Sequence, residues 1–218
     1  MSKLIFQIAM ARSKKYLTDK YGSDFYHQFS MISMQKLSDI VKKVPDIGES
    51  IFSFNYKFAP AYISWYKSFI ELGVSQEETI QNIWAMNEKM MTTLPKRLLR
   101  YTGKAYMTSF RNKASKHMER QKAGELHPYD WKISYRDIDK NTFEIDITEC
   151  AFIKLCRDFN AENLLPGICR IDYLSANLMG NGFERTKTLA DGDDCCNCRY
   201  QVVGSCEWAP EKGFETRK

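Results

Sequence analysis

The chain reads as an α+β protein, with an N-terminal helical region packed on a C-terminal ββααββ unit whose sheet is antiparallel. Three observations predict this. Through about residue 122, apolar side chains recur at three- and four-residue steps between cap and break signals. From Trp131 onward, short stretches alternate apolar and polar residues, as half-buried strands do. All seven cysteines fall between Cys150 and Cys206, so the rear of the chain differs in chemistry as well as pattern.

Taken in order, Leu4 to Ala11 predicts the start of a helix or strand, since Gln7 interrupts its short apolar run. Residues 13–43 predict one helix, with Tyr16, Leu17, Tyr21, Phe25, Phe29 and Ile32 along one face. Pro45, Asp46 and Gly48 end it. Phe58 to Leu72 predicts an aromatic-rich helix closed by Gly73. Ser75 and Glu78 form a capping box for the next helix, which runs to about Thr93. Pro95 suits the first turn of a further helix, whose basic tail, Arg111 to Lys122, leads into a linker. Trp131–Tyr135 and Thr142–Thr148 then make a hairpin around the turn at Asp137–Asn141. Helices follow at 151–159 and 164–179, and strands at 183–189 and 196–203. Residues 1–124 are thus read as the helical region and 125–218 as the cysteine-rich α+β unit of one fold.

Bulk properties exclude several classes. A hydrophobic share of 44% beside 27% charged residues is that of an ordinary globular chain, not a disordered one. No apolar run approaches the ~20 residues of a membrane-spanning helix. The net charge of +5 lies wholly in front: residues from Cys150 carry 9 Lys and Arg against 10 Asp and Glu, leaving 23 against 17 before them. So mild an excess fits a solvated helix face better than a nucleic-acid footprint. An odd number of cysteines, two of them adjacent at Cys195 and Cys196, fits reduced thiols and a cytoplasmic setting.

Three features of the rear carry the reactive groups. Cys150 stands where a strand hands over to a helix, a setting that favours a thiolate. A small buried thiol is the plainer alternative. Cys169 and Asp172 are three residues apart on one helical face, with a surface carboxylate beside a core thiol as the plainer reading. Arg185 opens a strand, suited to a bidentate grip on a carboxylate, that leads through a Gly-Asp-Asp turn to Cys196 and Cys198. Cys150, Cys169 and Cys196 are the candidate metal ligands, with zinc as the candidate ion. Cys-x-Cys is not the usual zinc knuckle, however, and no cofactor fingerprint is present. His27, His117 and His127 all lie in front of these residues.

The pattern of Cys150, Cys169 and Asp172, then Arg185, Thr186, Lys187, Thr188, Gly192, Asp193, Asp194, Cys196, Arg199 and Tyr200, resembles the L-2-amino-thiazoline-4-carboxylic acid hydrolase family over about residues 145–202. The chain departs from that pattern at Asn197 and Cys198, where the family usually has Asp and Phe, and Cys195 is extra. The resemblance implies hydrolysis of a cyclic amidine-like C=N carbon, opening a thiazoline ring to a carbamoyl-cysteine. It implies Cys150, Cys169 and Asp172 as catalytic residues, and Arg185, Thr188 and Asp194 as contacts to a small-molecule carboxylate substrate. No nucleic acid or membrane partner is expected, and self-association is left open. More distantly, the rear unit resembles vinyl-reductase-type ligand-binding domains, some of which hold zinc through cysteines. A non-enzymatic binder or sensor is therefore the alternative, and a cysteine redox protein a third.

Overall fold

The computed structural model describes residues 3–93 and 95–206. The order is α1 (Lys3–Tyr21), α2 (Ser23–Val41), α3 (Ser53–Glu71), α4 (Gln76–Thr92), α5 (Lys96–Lys122), β1 (Lys132–Asp137), β2 (Thr142–Glu149), α6 (Ala151–Asp158), α7 (Pro166–Cys169), α8 (Ile171–Met179), β3 (Gly182–Arg185) and β4 (Cys196–Gln201). Helices come first and an antiparallel four-stranded sheet closes the chain, so the α+β expectation holds. No described helix is long and apolar enough to cross a membrane.

Local chemistry sets most boundaries. Ser75 accepts the Glu78 amide at 3.2 Å and caps α4, which is one half of the expected box, while the Glu78 carboxylate takes the Tyr21 hydroxyl and Lys20. Pro95 occupies the N-cap of α5, one position before the first turn. The single helix expected over 13–43 is instead two, because Gly22 sits at φ 88, a left-handed conformation that interrupts the helix and that glycine adopts without strain. The helix expected over 164–179 is also divided. A 3-10 turn at Glu162–Leu164, then α7 and α8, replace it, with the breaks near Pro166 and Arg170. The α5 helix keeps its basic tail to Lys122, and the chain leaves it at Ala123 and Gly124.

In space the chain clusters into two compact units that alternate along the sequence. The first comprises Met1–Asp46, Phe54–Thr93 and Phe152–Ile168; the second comprises Ile47–Ser53, Leu94–Ala151 and Cys169–Lys218. The first is helical. Its core holds Phe29 against Phe69 at 4.3 Å and Trp65 against Phe6, all fully buried. Burying each such ring contributes on the order of 1.5–3 kcal/mol. Two of its buried polar side chains form a chain of bonds: the Tyr62 hydroxyl donates to Asn87 at 2.6 Å, and the Asn87 amide donates to the Gly167 carbonyl.

The second unit holds the sheet, in the order β1-β2-β4-β3, every pair antiparallel. Strand alternation separates its two faces. The inner face carries Ile133, Ile145, Ile147, Phe143, Tyr200 and Phe183; α5 packs on β1 and α8 on β3, with Phe110 edge-on to Tyr200 at 5.3 Å. The α5 and α8 backbones approach so closely that a Cβ on Gly103 would collide with the Met179 carbonyl. On the outer face Arg136, Glu144, Arg199 and Glu184 form one cross-strand row of alternating charge. Arg136 pairs with Glu144 and Asp146, and Arg199 pairs with Glu144 at 2.9 Å. An open pocket on that face is lined by these paired charges together with Thr186 and Asn197.

Candidate functional site

The site grows from the break at Arg170. Because α7 ends at Cys169 and α8 begins at Ile171, Asp172 lies in the first turn of a new helix rather than on a continuous face with Cys169. A carboxylate is favoured at that end of a helix. Arg185 ends β3 on the inner face, directly opposite Cys198 of β4. Its side chain is only 4% exposed. One terminal nitrogen donates to the Asp172 carboxylate at 3.2 Å and the other to the Cys169 carbonyl at 2.8 Å. The guanidinium also lies over the rings of Tyr173 and Phe183, at 5.7 and 5.6 Å. Arg185 thus ties together the two helix ends that bear Cys169 and Asp172.

Burial dominates the electrostatics. It pushes the Asp172 carboxyl above the usual carboxylate range, against the opposing pull of Arg185. Burial alone would favour neutral Arg185, but the Asp172 carboxylate outweighs it and raises the guanidinium above its ordinary value. The Cys169 thiol is pushed up to about 12 by burial, with Arg185 opposing and Cys150, Asp172 and Cys196 adding to the rise. Burial also raises the Cys198 thiol. Three thiols far apart in sequence, Cys150, Cys169 and Cys196, are therefore near enough to interact, beside an acid–cation pair.

The stretch from Thr186 to Cys196 builds the turn between β3 and β4. Asn197 accepts the Thr186 and Lys187 amides at 3.0 and 2.7 Å and donates to the Thr186 hydroxyl at 2.7 Å. Those bonds end β3 at Arg185, four residues short of the expected Leu189. Asp193 accepts the Thr188 amide at 2.7 Å, and Thr188, fully buried, caps a 3-10 turn over Leu189–Asp191. The Leu189 amide donates to the Cys196 sulfur at 3.3 Å, and the Thr188 hydroxyl stands 3.5 Å from that sulfur.

The site residues expected from sequence thus take different parts. Cys150, half-buried between β2 and α6, joins Cys169, Asp172 and Arg185 in one cluster. Thr188 borders that cluster through Cys196. Asp194 lies on the surface, bound to Lys187 at 3.0 Å, and that partner holds its carboxyl below the usual range. Among the described residues no group of three or more His, Cys, Asp or Glu side chains is arranged to hold a metal ion. The set Cys150, Cys169 and Cys196 therefore does not fit zinc as it stands; the Cys196 sulfur is turned to the Leu189 amide instead. Sequence reasoning missed Asn197 and Asp193 as anchors of the turn. The signal was there in side chains that habitually bond nearby backbone amides.

The family model for L-2-amino-thiazoline-4-carboxylic acid hydrolase matches residues 55–200. No curated protein matches the chain.

Proposed function

The chain belongs to the L-2-amino-thiazoline-4-carboxylic acid hydrolase family, and on that premise we propose that it hydrolyses the C=N carbon of a cyclic amidine, opening an amino-thiazoline carboxylate to a carbamoyl-cysteine. The observation that carries this reading is the Asp172–Arg185 pair beside interacting thiols.

Opening such a ring needs a nucleophile at the carbon between two nitrogens and sulfur, a proton for nitrogen, and a departing ring thiolate. Asp172, with its carboxyl raised above the usual range, is suited to hand a proton to nitrogen and take it back. A positioned acid–base group contributes roughly 10²–10⁴-fold. Arg185 orients Asp172 and supplies positive potential towards a substrate carboxylate. Thr188 stands 3.5 Å from the Cys196 sulfur, whereas Asp194, engaged by Lys187, serves the turn. Cys169, held as a neutral thiol, is a hydrogen-bonding wall rather than an attacking group at neutral pH.

The test is incubation with L-2-amino-thiazoline-4-carboxylate, following the released thiol with a chromogenic reagent and the new urea carbonyl by carbon NMR. Formation of the ring-opened product supports the proposal. Tight retention of the unmodified compound would point instead to a binding protein.

A further inference from the structure

We infer that Cys196 is the nucleophile of this site, the thiol that attacks the amidine carbon. The catalytic part of this inference rests on the hydrolase reading above; the reactivity of the thiol does not.

The Cys196 sulfur accepts the Leu189 backbone amide at 3.3 Å and lies 3.5 Å from the Thr188 hydroxyl, where either group can donate. The amide is one that the start of a 3-10 turn leaves without a carbonyl partner inside the turn, so it is free to serve an outside acceptor. An amide aimed at the sulfur fixes where that sulfur points. Nothing in that arrangement adjusts loosely. Thr188 is fully buried, its own amide is bound by Asp193, and the strand end before it is bound by Asn197. The Cys196 sulfur is on the inner face of β4, close enough to Arg185 and Cys169 to act on both, and it is half-buried, as Cys150 is. Five of the other six cysteines fit attack less well, which leaves Cys150 as the rival that the test below separates from Cys196. Cys198 is 2% exposed and Cys206 7%. Cys156 is fully buried in the helical unit. Cys169 and Cys195 are both shifted towards the neutral thiol by burial.

The chemistry balances with water alone. The Cys196 thiolate forms a bond to the ring carbon; the C=N electron pair moves to nitrogen, which takes the proton of the Asp172 acid. That nitrogen pair then re-forms C=N as the bond from carbon to ring sulfur breaks. The ring sulfur leaves with its electron pair and takes a proton from the amidinium, leaving an isothiourea on Cys196. Water adds across the C=N bond, oxygen to carbon and hydrogen to nitrogen. Collapse to the carbonyl expels the Cys196 thiolate and returns the hydroxyl proton to Asp172. One water is consumed, a urea carbonyl and a thiol are formed, and no redox partner is needed.

The test is limiting iodoacetamide on the reduced native protein at neutral pH, with fragment-resolved mass spectrometry assigning a rate to each cysteine. Cys196 should be alkylated first, about tenfold or more ahead of Cys150. Thr188→Val, with its fold checked by circular dichroism, should slow Cys196 several-fold relative to the other thiols. Faster alkylation of Cys150 or Cys169, or an unchanged rate in Thr188→Val, overturns the assignment. With the amino-thiazoline carboxylate, acid quenching should trap an adduct on Cys196 of one whole substrate mass, and Cys196→Ser should lose turnover. If the wild type opens the ring and Cys196→Ser does so equally fast, the Cys196 assignment falls while the hydrolase reading stands. If the wild type never opens the ring, the hydrolase reading falls, and the alkylation order alone decides whether Cys196 is the activated thiol.

Discussion

Raising the pH should destabilise this fold well before its tyrosines ionise, and Cys169 is the reason. Its thiol is held near 12 in the folded chain, against about 8.5 in an unfolded one. A group whose folded pKa is raised contributes its full stabilisation below the unfolded value and loses it as pH climbs towards the folded one. The unfolded chain releases the proton from about pH 8.5 while the folded chain retains it, so stability falls across roughly pH 8.5 to 12. At pH 10 the separation is about 1.5 pH units, or about 2 kcal/mol from this residue. Cys198 pushes in the same direction. The assay is urea unfolding at pH 7, 8.5, 9.5 and 10 under a non-thiol reductant, for the wild type and Cys169→Ala. The variant starts lower because it loses packing, but the gap between the two should narrow by about 2 kcal/mol as pH rises from 7 to 10. Parallel curves over that range would refute the argument, since both proteins carry the same tyrosines.

Other expectations follow from single contacts. Arg185→Met leaves the Asp172 carboxylate without the ion pair seen here. Removing one partner of a buried pair costs about 3–5 kcal/mol, and discounting for Asp172, which is 36% exposed, leaves roughly 2–3 kcal/mol, measurable by denaturant unfolding. Asp172→Asn should keep the fold and lower ring-opening turnover by roughly 10²–10⁴-fold, read as kcat on the amino-thiazoline carboxylate. Gly103→Ala forces α5 away from α8 and should cost roughly 1–3 kcal/mol or more, seen as a lowered Tm; an unchanged Tm would contradict the close approach described. Ser75→Ala removes the α4 cap and should cost about 1 kcal/mol.

How far the sequence could be read depended on whether a feature is local. The Ser75–Glu78 box and the β1–β2 hairpin depend on neighbours within a few residues, and both were legible. The break at Gly22 was hidden because the apolar repeat continues across it, and periodicity alone does not register a backbone turned left-handed. Cys169 and Asp172 were legible as a pair, but their relation was misread. The chain breaks at Arg170, and Asp172 answers to Arg185, thirteen positions away, rather than to Cys169 along a helix. Cys196 was legible as a metal-ligand candidate and as part of the family pattern, but its surroundings were not, because the groups that meet its sulfur come from the other side of a turn. Asn197 looked like a lost carboxylate, yet an amide can both accept two backbone N–H groups and donate to Thr186, which an ionised carboxylate cannot do.

The alternation of the two units along the chain gives Cys150 and Cys169 an unusual address. The polypeptide leaves the sheet-bearing unit one residue after Cys150, runs through 152–168 as part of the helical unit, and re-enters at Cys169 itself. The two thiols therefore guard the exit and the return of a single excursion, like posts at a gate. Cutting the gene between residues 124 and 125 would leave that excursion whole on one piece and still not separate two parts, because each unit would lose helices encoded on the far side of the cut. A lineage that duplicates, swaps or truncates this protein must carry the whole circuit with it, and the thiols travel with the circuit.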